Sequence, residues 1–211
     1  MHKVMSADIF VYLDTVQFSK NGVQNRNQIK TARGAQWLTV PVKHELGQSI
    51  RDTRLADTKA TTKHWKTLQA NYARTPGFQR WKDELHGLLN REWQTLDEIA
   101  VASTEWMIHN LRIHTTRLRA SEIEGIEGHA SELIASICKA LNADQYLTGT
   151  GALAYLQPQD FAGIGCEVQV QRWKHDSISD LSTLDLLLNN PDTATEMIAA
   201  AGSWRSLPPH D

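Results

Sequence analysis

The stretch Gln17–Lys30, QFSKNGVQNRNQIK, concentrates two lysines, an arginine and six side-chain amides between two apolar segments. Asp14 stands just ahead of it. Lysine and arginine hold phosphate or carboxylate, and amides read hydroxyl groups with both donors and acceptors. Asp14, Gln17, Lys20, Asn25, Arg26 and Asn27 are therefore a candidate contact set for an anionic, hydroxylated ligand such as a nucleotide sugar. The same composition suits a surface hairpin, in which Asn21 and its neighbouring glycine serve turn geometry and Lys20 is solvated. Composition alone leaves both readings open.

Other segments carry less chemistry. His64 precedes Trp65 at the start of a helical pattern and is the one candidate for proton transfer, since an unperturbed imidazole accepts a proton near neutral pH. It also reads as a helix-surface histidine beside a core tryptophan. Thr148, Gly149, Thr150 and Gly151 lie between an expected strand and an expected helix, where glycines allow close backbone approach and N–H groups attract anions. An ordinary turn would look the same. Tyr155 lies one turn further on and is placed to wall that pocket. The remaining histidines, His175 among them, show no metal-ligand spacing, so no metal is assigned. No nucleophile motif and no complete nucleotide fingerprint occurs, and no cofactor is assigned. Cys138 and Cys166 read as buried thiols of a reducing cytoplasm.

The elements that must position these residues follow from periodicity. DIFVYLD (8–14) is nearly all apolar, as in a strand covered on both faces. QWLTVPV (36–42), with Pro41, reads as a strand close to an edge. Three helices are expected within an insertion spanning about 59–112, the first stopped by Thr75-Pro76-Gly77. HTTRLRAS is a short strand and HASELIASICKAL an amphipathic helix. DQYLTGTGALAYL reads as strand, turn and helix start, and CEVQVQRW as a strand with one wet face. DLSTLDLLLNN and TATEMIAAAG are closing helices. The order predicts an α/β fold with a Rossmann-like, mostly parallel sheet, a helical insertion and C-terminal helices, in one domain over 1–204 with a flexible tail at 205–211. Ligands of open α/β sheets sit outside the strands' carboxyl ends. The polar loop and the Thr148–Gly151 turn are accordingly expected to line one crevice.

Of the 211 residues, 22 are Lys or Arg and 24 are Asp or Glu, a balance that gives no reason to expect nucleic-acid binding. No apolar run reaches the roughly 18 residues of a membrane span, and the N-terminus is no signal peptide, so a cytoplasmic protein is expected.

DIFVYLDTVQFSKNGVQNRNQIKT, QWLTVPV, YLTGTGALAYL and LSTLDLLLNN, in this order, resemble the WbqC-like protein family. D-x-VQF-x-K-x-x-x-x-NRN-x-I is the most specific of these segments. Met1–Val4 stands where the end of the family's QPxYxPWxGYF motif falls, so that motif and its strand are expected to be missing here. The resemblance implies bacterial surface-glycan (O-antigen) biosynthesis, with transfer of an aminoacyl (glycyl) group to an activated amino sugar and a nucleotide sugar or glycan intermediate as partner. Its alternative is a non-catalytic nucleotide-sugar-binding partner of a polysaccharide-biosynthesis enzyme.

Overall fold

The computed structural model describes residues 1–20, 22–174 and 181–207. Asn21, His175 and residues 208–211 of the expected tail lie outside the described residues. The chain opens with α1 (His2–Met5) and β1 (Ile9–Tyr12). A hairpin follows, β2 (Arg26–Thr31) and β3 (Gly34–Thr39), then the short strands β4 (Val42–Lys43) and β5 (Arg54–Leu55). Helices α2 (Ala60–Tyr72), α3 (Pro76–Asn90) and α4 (Leu96–Asn110) come next. β6 (Thr116–Arg119), α5 (Ser131–Ala140), β7 (Gln145–Thr148), α6 (Pro158–Ala162) and β8 (Glu167–Trp173) precede α7 (Thr183–Asn189), α8 (Ala194–Ala201) and β9 (Gly202–Ser206).

The fold is mixed α/β with small sheets. β1 and β6 pair in parallel; β7 and β8 pair in parallel, with β9 antiparallel on β8; β2–β3 and β4–β5 are antiparallel pairs. The ladders thus join strands two or three at a time, where strand order had predicted one mostly parallel Rossmann-like sheet. One reason lies in the hairpin. Gly34, at φ +102°, allows a turn tight enough for β3 to fold straight back onto β2. β1, expected to be covered on both faces, has no fully buried residue, and Ile9 is 38% exposed.

Two compact units divide the chain. The first comprises Met1–Tyr12, Thr115–Ser177 and Ile198–Asp211. Ile134, Ala135 and Cys138 recur at helical spacing on α5 and pack with Val168 and Val170, the inward set of the alternating strand β8. Burial pushes the Cys138 thiol up to about 12, helped by the adjacent Cys166 thiol, so neither is poised for thiolate chemistry. β9 includes Arg205 and Ser206, which had been assigned to the tail. The reason is Gly202: a Cβ there would collide with the buried ring of His2. That ring also meets Trp173 and Trp204, and its Nδ1 accepts from Gln171 Nε2 at 2.8 Å.

The second unit comprises Leu13–His114 and Ile178–Met197. Its three long helices lie where the periodicity placed them. Pro76 supplies the first turn of α3, where its missing N–H costs nothing. Thr95 and Glu98 close a capping box at the start of α4. Phe18, near the start of the polar stretch, is buried with Leu55, Trp93, Leu96 and Ile99. Gly77 lets α3 approach the α7 backbone at Leu187 and Leu188. The Tyr72 hydroxyl donates to Asp185 Oδ1 and accepts from the Lys30 N–H at 3.0 Å, tying α2, α7 and β2 to one oxygen.

Candidate functional site

Asp14 to Asn27 is not one loop. Gln17 bridges to Ser49, Phe18 is core, and Arg26 and Asn27 are the first two residues of β2. Along that strand Asn27 and Ile29 share a face. The face runs from exposed Asn27 to fully buried Ile29, and Leu38, the ladder partner of Asn27, stands beside it. This polar-to-apolar face forms one wall of a cavity of about 250 Å³. Leucines 68, 85, 88 and 89 of α2 and α3 and Ile99 and Met107 of α4 line the interior. Asn25, Arg26, Asn27 and His64 line it too, as does strongly exposed Val23. Four of the sequence-derived site residues are thus gathered on one cavity of the second unit.

Each is held by the backbone around it. Asn25 Nδ2 donates to Val40 O at 2.9 Å, and Val40 N–H donates back to Asn25 O at 2.8 Å. With Nδ2 committed, Asn25 offers Oδ1 as an acceptor. Arg26 Nε donates to Gly22 O at 3.1 Å, and the guanidinium lies 4.5 Å from the centroid of the Trp37 ring. Stacking on an aromatic face orients a planar cation. Asn27 Oδ1 accepts from the Gln28 N–H.

His64 sits on α2, and its Nε2 lies 3.0 Å from Thr39 O. A carbonyl oxygen only accepts, so Nε2 carries the proton and the neutral ring keeps its lone pair on Nδ1. Burial lowers its pKa below the usual 6.5, opposed by the bond to Thr39. The folded protein therefore binds fewer protons here than the unfolded chain. This contribution to stability is complete above pH 6.5 and declines as the pH falls through 6.5 toward the folded-state pKa. A nitrogen-15 NMR titration is expected to show an Nε2–H tautomer at pH 7.5 and a midpoint below 6.5. A midpoint at or above 6.5 would contradict this geometry.

The other expected residues are not among those that line this cavity. Asp14 is buried, and its carbonyl accepts from Arg51 N–H at 3.0 Å. Gln17 and Lys20 are exposed and do not line the cavity. Thr148, Gly149, Thr150, Gly151 and Tyr155 belong to the first unit. Thr148 ends β7 and is buried, Thr150–Ala154 form a 3-10 turn where a helix had been expected, and Tyr155 is half-exposed. A Cβ at Gly149 would lie 3.4 Å from Lys3 Nζ. Among the described residues, no group of three His, Cys, Asp or Glu could hold a metal ion, and no helix is long and apolar enough to cross a membrane.

The sequence reading missed the apolar interior, because leucines at helical spacing look the same on a core and on a cavity wall. It also missed Ser182 and Leu184, which line the cavity, and Asp185 beside them. Ser182 N–H donates to Gln28 O at 2.8 Å, joining the LSTLDLL segment to NRNQIK. An aspartate inside an otherwise apolar helix was the available signal.

The sequence profile of the WbqC-like protein family matches residues 1–197. The chain is 30% identical over 196 residues to the uncharacterized protein Rv1507c of Mycobacterium tuberculosis (strain ATCC 25618 / H37Rv), covering 86% of this chain and 84% of that protein. No solved structure matches it. A profile match running through nearly the whole chain, in the order of the motifs described above, makes it a member of the WbqC-like protein family.

Proposed function

We propose that the cavity of the second unit is a ligand site serving bacterial surface-glycan biosynthesis, with a nucleotide-activated sugar or glycan intermediate as ligand. The observation that carries this reading is that Arg26, Asn25, Asn27 and His64, from different elements, all line one cavity. Arg26 is the contact for phosphate, since a guanidinium bonds two phosphate oxygens at once. Asn25 and Asn27 read hydroxyl groups. His64 Nδ1 takes the proton of an attacking amine or hydroxyl in group transfer, which family membership suggests is aminoacyl (glycyl) transfer to an amino sugar. A non-catalytic nucleotide-sugar carrier would use the same contacts without His64. In the first unit, the Gly149–Gly151 backbone beside Lys3 is a proposed anion contact, with Tyr155 next to it. We further propose that the parallel pairs β1–β6 and β7–β8 are elements of a Rossmann-like arrangement in a cytoplasmic protein.

The test is calorimetric titration of nucleotide sugars into the wild type and Arg26→Ala. The substitution is expected to cost roughly 1.5–3 kcal/mol, the range for a hydrogen bond to a charged group, which is about a tenfold to more than hundredfold loss of affinity. Circular dichroism must show an unchanged fold. Equal affinity in the two proteins, or no binding to the wild type, would remove the reading. His64→Gln separates enzyme from carrier: it abolishes turnover in the first case and leaves binding unchanged in the second.

A further inference from the structure

We infer that the free edge of the hairpin at residues 35–37 is a docking site for an extended segment of a partner protein. That segment carries acidic side chains at alternate positions and adds to β3 as a third, antiparallel strand. The site is separate from the cavity and goes beyond the function proposed for it.

Hydrogen bonding alternates along an antiparallel pair, so every second residue turns its N–H and C=O away from its neighbour. Val40 N–H donates to Asn25 O, which fixes the phase of the β2–β3 register. Arg26, Gln28 and Lys30 on β2, and Ala35, Trp37 and Thr39 on β3, therefore face outward. On β2 the outward edge is engaged: Lys30 N–H donates to the Tyr72 hydroxyl, and Gln28 O accepts from Ser182 N–H. On β3, Thr39 O accepts from His64 Nε2, so α2 closes that end. Ala35 and Trp37 differ. Among the described residues, their outward N–H and C=O groups have no partner. Every residue from 34 to 37 is exposed, Trp37 to 42%. Two donors and two acceptors thus stand in a row, the template that a further strand needs.

Charge selects the occupant. Residues 15–44 carry Lys20, Arg26, Lys30, Arg33 and Lys43 and no aspartate or glutamate, in a chain whose net charge is -2. Residues 58–82, which include α2, likewise hold lysines and arginines and no acid. Lys30 and Arg33 are exposed. Lys30 lies cross-strand from Ala35, so the two side chains share a face, and the lone methyl of Ala35 leaves room beside the ammonium. A third strand would run about 4.8 Å beyond β3. A carboxylate opposite Ala35 then meets Lys30 across that methyl, with Arg33 at the turn. The acids placed nearby by backbone contacts lie elsewhere. Asp57 follows Ala56, whose N–H donates to Pro41 O at the closed end, and Asp185 is buried behind Tyr72 on the β2 side. A second copy of this chain fits less well, since its own β3 brings the same cations and no acid.

The probe is a blocked peptide of alternating glutamate and threonine, titrated into the full chain and followed by nitrogen-15 NMR. Binding is expected, with the largest shifts and slowed amide exchange at Ala35 and Trp37. In the antiparallel arrangement glutamates stand opposite Ala35 and Trp37, and their N–H groups donate to β3. N-methylation of the glutamates should therefore weaken binding by about five- to a hundredfold, the loss of two hydrogen bonds. N-methylation of the threonines should leave it unchanged. The two peptides carry the same charge, so the contrast separates strand addition from charge attraction. Lys30→Glu should lower affinity about fivefold, the upper end for one exposed ion pair, because it reverses the charge as well as removing it. A lysine–threonine peptide should not bind. No binding of the glutamate peptide, equal binding by the two methylated peptides, binding of the lysine peptide, or shifts away from residues 35–37 would overturn the inference. So would protection of the same amides in a dimer of the unliganded chain, which assigns the edge to a second copy. The same shifts on adding single-stranded RNA would overturn it too, by assigning the surface to nucleic acid.

Discussion

Gly77→Ala is expected to destabilise the second unit by about 3 kcal/mol, the upper part of the range for overpacking. In an unobstructed helix the same change would stabilise, since alanine exceeds glycine by roughly 0.8–1 kcal/mol in helix propensity. Here a Cβ would lie 2.7 Å from Leu188 Cα and 2.8 Å from Leu188 O, and it would also strike Leu187 O. These are backbone atoms of α7, which no rotamer change can move aside. Gly87 on the same helix is the internal control: a Cβ there meets nothing within 4 Å, and Gly87→Ala should be neutral or stabilising by up to about 1 kcal/mol. Urea denaturation of both variants reads the difference. Gly77→Ala at or above wild-type stability would show that α3 and α7 are not in this contact.

Tyr72→Phe should cost about 2–3 kcal/mol, at the level of a hydrogen bond to a charged group. It removes one oxygen and takes that partner from the buried Asp185 carboxylate and from the part-buried Lys30 N–H. Burial and the Asp185 carboxylate raise the phenol pKa, so the hydroxyl stays protonated and donating across the working pH range. Asp185→Asn keeps an oxygen to accept from Tyr72, and a smaller loss is expected. Thermal denaturation of the two variants ranks them. A Tyr72→Phe protein as stable as wild type would mean that water or a shifted side chain satisfies both groups.

Helices were the legible part of this sequence. Trp65, Leu68 and Tyr72, then Phe78, Trp81, Leu85 and Leu89, announce α2 and α3 because each buries one stripe against its neighbours. The hairpin was legible only in its second strand: QWLTVPV was read as a strand and overlaps β3, but RNQIKT has one buried residue, Ile29, so no alternating apolar signal marks β2. What holds β2 includes Tyr72 and Ser182, which are remote in sequence. The site divides the same way. Asn25, Arg26, Asn27 and His64 stood out by residue type, yet their shared cavity depends on helix packing that single residues do not announce. The terminal strand β9 escaped notice because the condition for it, a missing Cβ above His2, joins the two ends of the chain.

The contact of α3 and α2 with α7 also has a consequence in time. Leu13–His114 leaves the ribosome well before α7, and the whole of Thr115–Ser177, which belongs to the other unit, is synthesised in between. Nascent domains fold as units as they emerge, but this one emerges with Tyr72 lacking its carboxylate and Gly77 facing no backbone. Loop closure over so long an interval adds little entropy cost. The delay therefore weighs on kinetics. For the tens of residues synthesised between His114 and Thr183, the leucine-bearing helices wait with one flank uncovered, and that interval is when the chain is most open to association with other chains or with a chaperone.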